Sequence, residues 1–334
     1  MYDNITVSVM ISYYNQKEYV RDSLESAINQ ETSFPFEIIC GDDGSSDGTY
    51  EELMKWKEKY PSLISVYRMP RKPGVKYEPI VRASNNRFNM LSHARGKYIT
   101  ILDGDDYYCD NNKLQKQVDI LERYPECVAC CHTMKYVWDD GSKPEKPLGL
   151  ISTNSYIIKN CDYWAGVWLP AEAFLFRNIY KDNTKKINPN FFDDNLITAY
   201  YIKEGDIVYI PDCMAVYRQV GDSSWNSRDE IKKLYVNVVG YQEAKRILPN
   251  MGRACFYRYQ SVIRLLFDNR NKNLDVKEDD NFVASDPAYI DAVNYKGASY
   301  LYKIIFIIKY FIPAHMGKFI RLKNRVSRLF WKRI

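Results

Sequence analysis

The stretch KYITILDGDDYY, residues 97–108, decides the fold. Lys97 to Asp103 is apolar almost throughout, the composition of a strand buried on both faces, as in parallel sheets covered by helices. The chain then changes character: Asp103, Asp105 and Asp106 stand where the strand ends. In open α/β sheets ligands bind at the carboxyl ends of strands, so acids at that edge are suited to a ligand and badly suited to packing. Two aspartates one residue apart on a turn can divide the work. One ligates Mg²⁺ or Mn²⁺ through hard oxygen, and the other hydrogen-bonds a nearby hydroxyl. A solvated Asp-rich turn is the competing reading, and D-x-D alone does not separate the two.

Working outward toward the N-terminus, short apolar runs alternate with helical patterns over the first 135 residues, which predicts a parallel sheet covered by helices. Val7, Val9 and Ile11 belong to a first strand, and Val20, Leu24, Ala27 and Ile28 line one face of a helix. FEIIC (36–40) is a second strand, Thr49 to Glu52 has capping-box spacing, and Ile64 to Tyr67 is a third strand. Residues 69–84 carry three prolines and no period, so they read as a long surface loop leading to a helix that ends near Ala94. Toward the C-terminus, KLQKQVDILERY (113–124) is an amphipathic helix with Leu114, Val118 and Leu121 inward, followed by a strand at 128–137. Further strands are expected near 173–177, 207–210 and 214–218. Residues 227–298 read as a helical extension, polar from 273 onward, and 299–334 as a basic apolar tail.

Composition narrows the class. The 334 residues are 46% hydrophobic and 27% charged, ordinary for a globular chain. The net charge of +5 belongs to the tail, since residues 300–334 hold nine Lys and Arg and no acid. Tyrosine, at 29 positions, supplies rings for stacking with a polar tip. The eight cysteines lack the spacing of a disulfide scaffold and read as reduced thiols of a cytoplasmic protein. Cys127, Cys130, Cys131 and His132 fall in a segment that reads as a buried strand, with no second pair at zinc-ribbon distance. G-x-G-x-x-G and the P-loop pattern are absent, which disfavours dinucleotide oxidoreductases and P-loop ATPases. Nucleic-acid binding would rest on the tail alone, which contains no recognisable module.

A second acidic turn, Asp42-Asp43-Gly44-Ser45-Ser46-Asp47-Gly48, follows the second strand at the same sheet edge. Caps explain Asp47 and Thr49 but leave Asp42 and Asp43 over. Two acidic turns on one crevice repel unless something cationic or donor-rich lies between them, a need that a metal-bound nucleoside diphosphate meets. A third acidic feature is Asp193-Asp194, after Phe191-Phe192 and before LITAYYIKEG. It reads either as dipole-stabilising acids in a first helical turn or as a source of a general base.

These motifs, in order, resemble the bacterial inverting glycosyltransferases of family 2 type with the GT-A fold, which include polysaccharide and lipopolysaccharide sugar transferases. The runs that carry the resemblance are 7–30, FEIICGDDGSSDGT (36–49), ARGKYITILDGDDYY (94–108) and KLQKQVDILERYPE (113–126). Asp193-Asp194 is similar to the family's acidic pair, and VYRQVGDSS (216–224) to its closing Tyr-Arg segment. The resemblance implies a Rossmann-like, mostly parallel sheet flanked by helices over 1–226, with 1–135 the nucleotide-binding half and 136–226 the acceptor side. It implies that Ser12 and Tyr14 line a nucleotide, by family frequency that of a UDP-sugar, that Asp43 contacts its base and Asp103 its ribose. It implies Asp105 as ligand to Mn²⁺ or Mg²⁺, and Asp194 as general base. The donor would be a nucleotide-diphosphate sugar and the acceptor a saccharide or lipid-linked hydroxyl. An inactive sugar-nucleotide scaffold would be expected to lack Asp105 or Asp194, and a sugar nucleotidyltransferase should show a Gly-rich basic loop near its start. Two positions depart from the family pattern: Val220, where many relatives have His, and Met90, where a Gly often stands.

The tail has its own expectation. Lys303 and Lys309 leave only Ile304 to Ile308 uninterrupted, against the ~20 apolar residues a membrane span needs. Met316, Phe319, Ile320, Val326, Leu329 and Phe330 recur at helical spacing among Lys and Arg, the pattern of a helix lying on an anionic membrane surface. A basic helix packed on protein is the alternative. The lipid reading puts the chain in the cytoplasm, peripheral on the inner face of the membrane.

Overall fold

The computed structural model describes residues 4–75, 77–148, 154–159 and 170–220, with 243–244 and 246–247. All of these fall in one compact unit, Met1–Leu274. The helical extension and the tail therefore lie outside the described residues, apart from those four positions.

Ten strands form one sheet: β1 (Val7–Tyr13), β2 (Phe36–Asp42), β3 (Ile64–Arg68), β4 (Tyr98–Asp103), β5 (Tyr107–Tyr108), β6 (Cys127–Trp138), β7 (Lys146–Leu148), β8 (Tyr156–Ile158), β9 (Phe174–Arg177) and β10 (Asp206–Gln219). The order is β3-β2-β1-β4-β9-β6-β10-β5, with β7 on β6 and β8 on β10. The helices are α1 (Val20–Ile28), α2 (Thr49–Lys59), α3 (Pro79–His93), α4 (Lys113–Arg123) and α5 (Asp194–Ile202).

The first half matches the expectation of a parallel sheet. β3, β2, β1 and β4 run parallel, joined by crossovers through α1, α2 and α3. Val7, Val9, Met10 and Ile11 of β1, and Tyr98, Ile99, Ile101 and Leu102 of β4, are fully buried, as two-sided cover requires. On α4, Leu114 and Leu121 are fully buried and Val118 nearly so.

The sheet as a whole is mixed rather than mostly parallel. β9 is antiparallel to both β4 and β6, and β5, β7 and β8 pair antiparallel with their neighbours; beyond β4 only β6 and β10 run parallel. The chain returns from β6 to β9 without a crossover helix among the described residues, and a parallel pair needs such a crossover. Two local expectations also change. The helix after the proline-rich loop starts at Pro79, within the stretch read as loop, because proline fits the first helical position, where its missing N–H costs nothing. The two strands expected at 207–210 and 214–218 are one strand, β10, with register shifts on either side of Cys213.

Candidate active site

The site is built on strand register. Ser12 sits opposite Asp103 on the β1–β4 ladder, and Tyr13 opposite Asp42 on the β1–β2 ladder, so both acidic turns leave the sheet at one edge. Ser12 Oγ donates to Asp103 Oδ1 at 2.7 Å, and Arg87 Nη2 from α3 reaches the same oxygen at 2.7 Å. The turn after Asp103 closes against β1 through Gly104 N and Ser12 O, 2.9 Å apart. A β-carbon on Gly104 would lie 2.6 Å from Tyr13 Cε1 and 2.7 Å from Gln16 Oε1, so glycine lets the acidic turn lie this close to β1.

Asp105 is half-buried beside Asp103, with the Gln16 side chain hydrogen-bonded to it. Burial, and then the neighbouring Asp103 carboxylate, push its carboxyl up to about 7. Asp106 is buried and takes Arg218 N at 2.7 Å, which ties the acidic turn to β10. Burial, with Asp105 and the buried Glu172 nearby, raises its carboxyl well above the ordinary value.

The second turn separates into structural and open parts. Asp42 is fully buried, accepts Ser45 N at 3.2 Å and faces Arg68 Nε at 3.2 Å, so it closes its own turn. Asp47 accepts Thr49 N at 3.0 Å, and this bond stands where a capping box was expected at the start of α2. Asp43 is held between Arg71 Nη2 at 2.6 Å and Arg82 Nη2 at 2.5 Å, and burial still raises its carboxyl despite both guanidiniums. Tyr14 is 43% exposed, with the Arg71 guanidinium 4.1 Å from its ring centre. The donor-rich groups expected between the acidic turns are thus supplied in large part by the protein: Arg68, Arg71, Arg82 and Arg87. Nothing periodic marked these arginines in the sequence. Their only signal was basic residues just before, in and after a proline-rich loop facing two acidic turns.

The third acidic feature stands at the start of α5. Asp193 caps this helix, its Oδ1 accepting Leu196 N at 3.1 Å. Asp194 is the first residue of α5, and its side chain is outside the described residues. The segment before it packs on α3, with Asn85 Nδ2 donating to Asn190 Oδ1 at 3.0 Å and Phe88 edge-on to Phe192. α3 thus joins the start of α5 to the turn at Asp103.

Arg218, in the closing segment, pairs with Asp22 at 2.7 Å and Asp139 at 3.3 Å between the rings of Tyr19 and Tyr107. Val220 is buried, as is Met90, which packs beneath Gly41. Cys127, Cys130, Cys131 and His132 are buried in β6, with His132 Nδ1 2.8 Å from Thr133 O. Among the described residues no helix is long and apolar enough to cross a membrane.

Acidic turns, stacked arginines and an exposed tyrosine at the carboxyl edge of parallel strands define an α/β enzyme of the nucleotide-binding kind. The family model described as glycosyl transferase family 2 matches residues 8–184, more than half of the chain, and the chain belongs to that family. It is a glycosyltransferase by family and fold. The uncharacterized protein Rv1520 of Mycobacterium tuberculosis is 27% identical over 284 residues, covering 81% of this chain and 72% of its own length. The UDP-Glc:alpha-D-GlcNAc-diphosphoundecaprenol beta-1,3-glucosyltransferase WfaP of Escherichia coli is 33% identical over 116 residues, 35% of this chain and 41% of its own. Among solved structures, S. aureus TarS 1–349 shares the fold at 18% identity and TM-score 0.61, over 87% of this chain and 81% of that one. The mannosyltransferase PcManGT of Pyrobaculum calidifontis, solved with GDP-Man and Mn²⁺, aligns at 15% identity and TM-score 0.51, over 92% and 87% of the two chains.

Proposed function

We propose that this glycosyltransferase moves a sugar from a nucleoside diphosphate sugar, with UDP as the nucleotide, onto an acceptor hydroxyl with inversion at the anomeric carbon. The observation that carries this reading is the grouping of Ser12, Gln16, Asp103 and Asp105 at one sheet edge, next to Tyr14 and Asp43. Tyr14 offers an exposed ring to the base, and Asp43 an oxygen for a base N–H. Asp103, oriented by Ser12 and Arg87, accepts from a ribose hydroxyl.

Asp105, with Asp103 beside it, would hold Mn²⁺ or Mg²⁺. The fit is electrostatic: a half-buried carboxylate against a second one, with a raised proton affinity, is relieved by a cation. Among the described residues no three His, Cys, Asp or Glu group into a metal cage. One or two carboxylates suit an ion that takes its remaining oxygens from bound phosphates and water. Such an ion, when bound, supplies the charge that stabilises the leaving diphosphate. Gln16 orients Asp105 for that task, and Arg218 N holds the turn through Asp106.

Asp194 takes the proton of the acceptor hydroxyl as it attacks the anomeric carbon. Its neighbour supports the choice, since Asp193 is already engaged as the cap of α5. We infer a saccharide or lipid-linked acceptor of a cell-surface polymer. WfaP, named as acting on a diphosphoundecaprenol-linked sugar, supports that class. The basic tail, 299–334, following the helical extension 227–298, would then hold the enzyme at an anionic membrane surface on the cytoplasmic side.

A donor screen tests the reading: the protein is incubated with each common nucleotide sugar plus Mn²⁺, and nucleoside diphosphate release is measured. Release from one or a few UDP-sugars is expected. Release from none of the nucleotide sugars overturns the proposal.

A further inference from the structure

A pair of cysteines outside the proposed catalytic groups is brought together by the fold. Cys109 follows β5 directly, and Cys213 stands in β10 where the register with β6 shifts on both sides. Strand pairing aligns the two segments: Tyr108 lies opposite Ala215, and Cys109 N donates to Met214 O at 3.1 Å. A single side chain ties the flanking residues, because Lys116 Nζ reaches Asp110 Oδ2 and Asp212 Oδ2, each at 2.8 Å. The Cys109 thiol donates to the Cys213 carbonyl oxygen at 3.5 Å, which sets the Cys109 sulfur against the backbone of Cys213. Both residues are exposed, whereas Cys40, Cys127, Cys130 and Cys131 are buried.

We propose that Cys109 and Cys213 form a dithiol oxidation site that reacts with hydroperoxides and closes into a disulfide joining β5 to β10.

The electrostatics assign the roles within the pair. The neighbouring Cys109 thiol brings the Cys213 thiol down to about 7 against the opposing effect of burial, with the Lys135 ammonium adding to the effect and Glu145 opposing it. Cys109 is raised in turn, by the neighbouring Cys213 thiol and by burial, with Lys135 opposing and Asp110 adding. Near neutral pH Cys213 therefore supplies the thiolate, which is the nucleophilic form of cysteine. Its sulfur attacks one peroxide oxygen, the O–O bond breaks, and Cys213 becomes a sulfenic acid while the other oxygen leaves as water or an alcohol. Cys109 sulfur then attacks the Cys213 sulfur, and the sulfenic oxygen leaves as water with the Cys109 proton. In sum two thiols and one hydroperoxide give one disulfide, one water and one water or alcohol; the peroxide is reduced by the two electrons the sulfurs lose. Excess small thiol returns the pair to its reduced state. Because β5 continues the turn that carries Asp105 and Asp106, the link would fasten the far end of that turn to β10, where Arg218 N already holds Asp106.

The test uses the full reduced chain treated with hydrogen peroxide, alkylated, digested with trypsin without reductant and read by mass spectrometry. The expected product is residues 98–113 joined to 204–218, lighter than the two peptides together by two hydrogens and separated again by dithiothreitol. In Cys109→Ser, Cys213 should accumulate as a sulfenic acid captured by dimedone, and in Cys213→Ser the cross-link should vanish. Links scattered to other cysteines, or Cys109 and Cys213 each over-oxidised singly without a link, would overturn the proposal. So would oxidation of the buried cysteines ahead of this pair.

Discussion

The two halves of the sheet solve different problems. From β3 to β4 the strands are parallel, buried on both faces and regular in register; from β9 to β5 they are largely antiparallel, include two-residue and three-residue pieces, and run through irregular pairing in β10. The regular half fixes the acidic turns by ladder register, as Ser12 against Asp103 shows. The irregular half contributes a single contact to the acidic turn, Arg218 N on Asp106, and the segment before α5 reaches only α3. In physical terms, rigid parallel strands suit the part of a site that is the same for every nucleotide. Short strands and loops suit the part that differs between acceptors.

The largest effect expected from the irregular half is at α5. Asp194→Asn should leave nucleotide affinity nearly unchanged and lower kcat by roughly a hundred- to ten-thousand-fold, the range for loss of a general base. Asp193→Asn should cost far less, because asparagine caps a helix about as well as aspartate. Steady-state kinetics with nucleotide binding measured separately checks both, and a reversed order would move the base to Asp193.

In the regular half the corresponding probe is steric. Gly104→Ala puts a methyl against the buried Tyr13 ring and Gln16 Oε1, and should cost about 1–3 kcal/mol, as overpacking does. Denaturant unfolding measures it. A neutral result would mean that the acidic turn is not pinned to β1 as described.

A smaller effect should come from Asp105 without metal. Its folded-state carboxyl titrates at about 7, above the ordinary 3.8, so the folded state holds its proton more tightly than the unfolded chain does. The resulting destabilisation is absent below pH 4, grows between about 4 and 7 and is complete above 7. Asp105→Asn should therefore raise the melting temperature of the metal-free protein at pH 8 and change it little at pH 4. Equal shifts at both pH values would show that charge on Asp105 is not the cause.

How much of this was legible in the sequence follows from the same contrast. β1, β2, β4 and α4 could be read because full burial writes continuous apolar runs or a clean helical stripe, and Asp103 and Asp105 because they interrupt such a run. β5, β7 and β8 are too short to leave a pattern. The antiparallel entry of β9 depends on a chain path that no local period records. Asp42 and Asp43 stand side by side in the sequence, and only the fold separates a turn-closing carboxylate on Arg68 from one held by Arg71 and Arg82. Arg87 and Gln16 were missed because one polar residue on an amphipathic helix or in a loop looks like any solvated one.

The most direct test of the account is metal removal. Nucleoside diphosphate release from the best donor is measured in excess EDTA and again after Mn²⁺ or Mg²⁺ is restored, for the wild type and for Asp105→Ala. Release should fall to background in EDTA and recover with the ion, and Asp105→Ala should stay at background throughout. Full turnover in EDTA would contradict it.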